Sequence, residues 1–207
     1  MPSRIMHLII ADGLAEEFGL ASSGALLLGS LAPDAAKPDA ARSEAAHFAG
    51  RRYIAYGAFL QQYAHRMPDL YLLGYLSHLV GDDIWSIFVH AGGVRARIME
   101  QPALAKAYYR DFLLCNAKLL DAYPGRRRLY DTLAAAEFPQ HGVQEQADGA
   151  ALQELKRRAL QDFDYPAAHL AEELQLLSLE DVRHGMDLCI QRSLDLCRSW
   201  FGSAAAG

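Results

Sequence analysis

The sequence predicts an all-α fold. Ala and Leu dominate it and runs of β-branched residues are few, a composition that favours helix over strand. Apolar residues recur at helical spacing between capping and breaking residues. One segment, from Pro68 to about His90, is apolar on nearly every face, which marks the central helix of a bundle.

The elements follow in order. Ser3 is placed to cap a first helix that runs to about Phe18, with Ile5, Leu8, Ile9 and Ala15 in helical spacing. A second spans roughly Ser23 to Leu31 and ends before Pro33. Residues 32–50 form the longest irregular segment, with Pro33 and Pro38 as breakers. A third helix runs from about Arg52 to His65. Pro68, favoured in a first turn, opens the fourth, which stops at Gly92-Gly93. A long helix from about Pro102 to Tyr123 is closed by Pro124-Gly125. Three more fall near 126–136, 148–163 and 166–177, and the last covers about 179–201. No repeat or linker divides the chain, so residues 1–201 read as a single domain and 202–207 as a disordered tail.

A chain of 207 residues that is 52% hydrophobic can bury one full core. Its net charge of -5 argues against a stable nucleic-acid complex, which needs clustered cations. The basic runs Arg51-Arg52, Arg126-Arg127-Arg128 and Lys156-Arg157-Arg158 are short and separated, and read as solvated helix ends. No stretch approaches the ~20 apolar residues of a membrane span. The apolar run before Asp12 is too short and too polar for a secretory leader. Cys115, Cys189 and Cys197 form no C-x-x-C pair and read as reduced core cysteines of a cytoplasmic protein.

Chemistry concentrates in Tyr71-Leu72-Leu73-Gly74-Tyr75-Leu76-Ser77-His78-Leu79-Val80-Gly81-Asp82-Asp83-Ile84-Trp85. His78 and Asp82 stand one turn apart on one face of an otherwise apolar helix, close enough to share a metal ion. A buried Asp82 requires a cation, because an isolated buried carboxylate is costly. A His–Asp hydrogen bond on the helix is the alternative. Gly74, Ser77 and Gly81 leave room for another helix to approach. Asp34 sits at the tip of a turn stiffened by Pro33, His47 lies in the irregular segment, and His7 is alone on the apolar first helix. Taken singly, these three read as an ordinary turn, an exposed loop histidine and a core histidine.

Their order is more specific. Ser3-Arg4-Ile5-Met6-His7, Leu28-Gly29-Ser30-Leu31-Ala32-Pro33-Asp34, His47-Phe48 and Gly74 through Trp85 together resemble the zinc-dependent phospholipase C family. That family shares its helical fold with zinc nucleases of the S1/P1 type. The likeness covers about residues 1–90 and continues faintly through Tyr108-Tyr109-Arg110-Asp111-Phe112 and Asn116. It implies a multi-helix bundle of the phospholipase C/P1 nuclease type. It also implies a first zinc held by Asp34, His47, His78 and Asp82, with Asp82 bridging to a second zinc that His7 also binds. In the secreted members the processed N-terminus completes that second site; the counterpart here would be Pro2 after loss of Met1. The implied activity is hydrolysis of a phosphate ester, lipid or small molecule, with Asp34 as the residue that orients or deprotonates the attacking water.

The chain also departs from the family. His90, His184 and Asp187 are the candidates for a third zinc, but their spacings differ from the family's, so two ions are expected. Ala35 follows Asp34 where secreted phospholipases have an aromatic head-group contact, so a choline-type substrate is not implied. Asp83 is expected to hold a ligand histidine, with Asp111 a further candidate for that role. Trp85, Tyr71 and Tyr75 are expected to pack the core; Tyr53 and Tyr56 read as core stripe rather than cleft lining. An HD-type phosphohydrolase would need an adjacent His-Asp pair, which the chain lacks. The competing reading is a non-catalytic helical protein in which a closed structural zinc site pins residues 32–50 to the bundle.

Overall fold

The computed structural model describes residues 2–21, 23–36, 39–50, 53–138 and 149–201, and only the backbone of residues 90, 91 and 201. The expected tail, Met1, Pro38, His141, the Arg51-Arg52 pair and the side chain of His90 lie outside the described residues.

Among the described residues the fold is all-α, with no strand and one isolated bridge between Ala49 and Ile54. The helices are α1 (Arg4–Glu17), α2 (Gly24–Leu31), α3 (Ala40–Ala46), α4 (Tyr56–Tyr63), α5 (Leu70–Ala91) and α6 (Val94–Glu100). There follow α7 (Leu104–Ala122), α8 (Arg126–Ala135), α9 (Gly149–Gln161), α10 (Ala168–Ala171) and α11 (Leu179–Phe201). No helix among the described residues is long and apolar enough to cross a membrane.

Local chemistry sets the boundaries. Ser3 caps α1 by accepting from the Met6 amide at 3.2 Å, and Ser23 caps α2 by accepting from the Leu26 amide at 3.2 Å. The Asp69 carboxylate accepts from the Tyr71 and Leu72 amides at 2.8 and 3.2 Å, so α5 opens at Leu70, two residues beyond Pro68. Four expectations are corrected. The described residues of 32–50 are largely helical: Pro33 is absorbed into a 3-10 turn at Ala32–Ala36, and α3 is capped by Asp39. The third helix begins at Tyr56 rather than near Arg52, because Tyr53 and Ile54 pair back on Gly50 and Ala49. Gly93, at a left-handed φ of 70°, turns the chain straight from α5 into the unforeseen α6.

The fourth correction is at 166–177, where only Ala168–Ala171 is helical. Asp111 explains this. It is fully buried on α7 and accepts from the amides of Gln175, Leu176 and Leu177 at 3.0, 2.7 and 2.9 Å. Those amides therefore bond the carboxylate instead of a helical carbonyl, and Asp111 fixes this turn rather than a ligand histidine. The run at 126–128 is also more than a solvated helix end. Arg128 reaches the fully buried Asp12 of α1 at 2.8 Å, where the Tyr123 hydroxyl also donates at 2.5 Å. This clasp ties the end of α7 and the start of α8 to α1.

Helix α5 is the axis of the bundle. Every residue from Tyr71 to Asp82 is buried, and α1, α2, α4 and α11 pack around it. The approach of α2 is close because glycines meet backbone there. A Cβ on Gly74 would lie 2.0 Å from the Leu26 carbonyl oxygen, and one on Gly29 would lie 2.0 Å from that of Tyr71. Trp85, Tyr71 and Tyr75 are core residues, as are the free cysteines Cys115, Cys189 and Cys197.

Gly74→Ala is expected to destabilise the protein by about 1–3 kcal/mol, because the backbones of α2 and α5 must separate. Gly57→Ala on α4 meets no atom within 4 Å and is expected to be neutral or mildly stabilising. Urea unfolding of the two variants checks this; equal midpoints would refute the close packing of α2 on α5.

Candidate metal centre

Four elements deliver the five residues singled out from the sequence, and all five are buried together. His7 comes from α1, Asp34 from the 3-10 turn, His47 from the C-cap of α3, and His78 and Asp82 from one face of α5. Gly81 faces the His7 ring, and a Cβ there would lie 3.4 Å from it, in van der Waals contact. The α2–α5 contact brings the Ser30 carbonyl to His78. Tyr75 donates its hydroxyl to the Ala46 carbonyl at 2.5 Å, which pins the end of α3 and the adjoining His47 to α5.

The candidate ligand atoms crowd together. His47 Nε2 lies 3.2 Å from Asp34 Oδ1, 3.4 Å from His78 Nε2 and 3.6 Å from Asp82 Oδ2. His78 Nε2 lies 3.6 Å from both Asp34 Oδ1 and Asp82 Oδ2. Ligands held ~2.1 Å from a tetrahedral ion stand ~3.4 Å apart. The other oxygen of Asp82, Oδ1, faces His7 Nε2 at 3.4 Å. Asp82 thus turns one oxygen to His47 and His78 and the other to His7. The ligating atoms fall into two overlapping groups, Asp34 with His47 and His78, and His7 with His78 and Asp82, each within 4.8 Å.

Tautomers argue for a cation at the centre. Nδ1 of His47 is 2.7 Å from the Ser43 carbonyl, and Nδ1 of His78 is 2.7 Å from that of Ser30. A carbonyl only accepts, so each Nδ1 carries the proton. Each neutral ring then presents its Nε2 lone pair inward. Two lone pairs facing at 3.4 Å, ringed by carboxylates, repel unless a proton or metal lies between them. Asp82 is 2% exposed, and among the described residues neither of its oxygens has a hydrogen-bond partner, nor has either nitrogen of His7. Their contacts are close but not aligned as hydrogen bonds. Orphaned buried groups of this kind fit a divalent ion.

The protonation tendencies agree. Burial, and after it the stacked His78 ring 3.8 Å away, pushes His7 down to about 4, which favours a neutral ring at pH 7. Burial works against a charge on His78, but Asp82 and Asp34 outweigh it and raise its proton affinity. Burial likewise opposes ionisation of Asp82, but His78 and His7 prevail and hold its carboxyl well below the usual range. The pocket is built to keep one positive charge among these groups.

The centre is accessible. His47 and Asp82 sit on the floor of a cleft of about 650 Å³ whose sides include Tyr53, Ile54, Trp85 and Arg95. Two expectations change here. Asp83 does not hold a histidine; it accepts from the Ile54 amide at 3.2 Å, and backbone carbonyls orient the ligand rings instead. Tyr53 is not core: it is 67% exposed on the rim of the cleft. Tyr56 is half-buried and accepts from Arg192 at 3.2 Å. His184 and Asp187 are exposed on α11 and join no candidate ligand group among the described residues. The orienting roles of the Ser30 and Ser43 carbonyls and of Tyr75 carry no mark in the sequence. Compared with family models, curated proteins and solved structures, the chain matches none.

The purified protein is expected to carry at least about one transition metal per chain, by elemental analysis. His78→Ala should lose it and unfold more easily by about 3–5 kcal/mol, because Asp82 is left buried without a cation. A His78→Ala variant with wild-type metal content and stability would remove the centre.

Proposed function

We propose that the chain is a zinc-dependent hydrolase of phosphate esters, similar to phospholipase C. One observation carries the reading: two members of a buried His/Asp cluster, His47 and Asp82, line an open cleft, and Asp82 turns one oxygen to His47 and His78 and the other to His7. Nitrogen and oxygen donors with five separations of 3.2–3.6 Å among them suit zinc. When bound, zinc supplies Lewis acidity toward phosphoryl oxygens and toward water.

The chain's own residues supply the rest. His47 and His78 present lone pairs from rings locked by backbone carbonyls. Asp82 links the first position to the one beside His7. Asp34 is the most exposed of the five residues, at 8%, and lies 3.2 Å from His47, which lines the cleft. It is the group that takes the proton from the attacking water. Low-dielectric walls around the floor strengthen each of these interactions.

The second reading is a non-catalytic helical protein with a structural zinc, which a complete set of four ligands favours. His7 and the cleft favour the hydrolase, since a closed site needs neither a fifth ligand nor an opening. Asp34→Asn separates the two. It keeps one oxygen for the metal and removes the base, so turnover of bis(p-nitrophenyl) phosphate should fall by about a hundredfold or more while zinc is partly retained. Full activity in a folded, zinc-loaded Asp34→Asn would dismiss Asp34 as the base. A zinc-loaded wild type that turns over no phosphate ester would favour the structural reading.

A further inference from the structure

Asp82 and Asp83 are adjacent, yet successive residues of a helix point ~100° apart, so the two carboxylates serve different neighbours. Asp82 faces the histidines. Asp83 is half-buried and accepts from the backbone amide of Ile54 at 3.2 Å. An amide donating to a carboxylate is a charge-assisted bond, stronger than its neutral counterpart. That amide belongs to two short paired segments, 48–50 and 53–55. Ala49 pairs with Ile54, the Gly50 amide donates to the Tyr53 carbonyl at 2.9 Å, and the Ala55 amide donates to the Phe48 carbonyl at 2.9 Å.

The pair is fixed at both ends. Phe48 directly follows His47, adopts a left-handed φ of 48° and sets its ring edge-on against Phe59 at 5.5 Å. Asp83 holds the returning segment of the pair to α5. What the arrangement presents is Tyr53, a large aromatic side chain on the rim of the cleft that has His47 and Asp82 on its floor and Trp85 in its side. A lone exposed aromatic residue is ordinary. One fastened by a carboxylate next in sequence to a metal-ligand candidate is placed relative to that centre.

We infer that Tyr53 contacts the organic group of the ester, and that Asp83 is a positioning residue that sets Tyr53 relative to the metal ligands. The inference rests on the phosphate-ester reading. It adds a substrate class: an ester whose organic group carries a flat, apolar ring able to stack on an aromatic side chain.

Calorimetric binding of phenylphosphonate and methylphosphonate to the zinc-loaded full chain tests this without turnover, because the P–C bond is inert. The wild type should bind the phenyl compound about tenfold more tightly, the worth of one aromatic contact. Tyr53→Ala and Asp83→Ala should bring the ratio to about one. Asp83→Asn, which keeps an acceptor oxygen for the Ile54 amide, should retain most of the preference, and both Asp83 variants should hold wild-type zinc. Equal wild-type affinities for the two compounds would overturn the role of Tyr53 and leave the phosphate-ester reading standing. An unchanged ratio or lost zinc in Asp83→Ala would overturn the positioning role. Failure of both compounds to bind would overturn the phosphate-ester reading and this inference with it.

Discussion

The structure turns on one buried carboxylate. Asp82 is almost wholly removed from water, has no hydrogen bond to either oxygen among the described residues, and is ringed by three imidazoles. Leaving such a group charged and unpaired costs several kcal/mol. The surrounding fold can be read as the apparatus that makes its burial tolerable. Gly74 and Gly29 let α2 meet α5, so the Ser30 carbonyl can lock His78. Gly81 packs against the His7 ring, and Tyr75 pins α3 so that His47 closes the cluster. These contacts converge on a point where two histidine lone pairs and two carboxylates require a positive charge.

This arrangement also explains why α5 can be apolar on nearly every face and still carry two ionisable residues. Its buried surface meets α1, α2, α4 and α11, and the residues on those neighbours include the counterparts of His78 and Asp82. Core and centre are therefore one construction. A change that loosens the helix contacts should weaken metal retention as well as stability.

The sequence displayed the helical framework clearly, because caps such as Ser3 and Ser23 and breaks such as Gly92-Gly93 are local signals. It also displayed His78 with Asp82, since one helix turn brings them together. His7, Asp34 and His47 were readable only through their order along the chain; nothing local distinguishes them from a core histidine, a turn and a loop residue. What stayed hidden depends on long-range partners. Asp111 looked like support for a ligand and instead bonds three amides more than sixty residues away. Asp12 gave no sign of receiving Arg128 and Tyr123. Asp83 lies beside a ligand in sequence but serves the Ile54 amide, and Tyr53 followed the apolar pattern of a core while standing at the rim of a cleft.

The central claim is that a zinc ion occupies the space between Asp34, His47, His78 and Asp82, with His7 serving a second position through Asp82. X-ray absorption at the zinc edge of the loaded protein tests it most directly. The account predicts only nitrogen and oxygen neighbours at ~2.0–2.1 Å, with the outer-shell scattering of imidazole rings. A sulfur neighbour at ~2.3 Å, which would bring in a cysteine, or a spectrum without imidazole scattering, would contradict it.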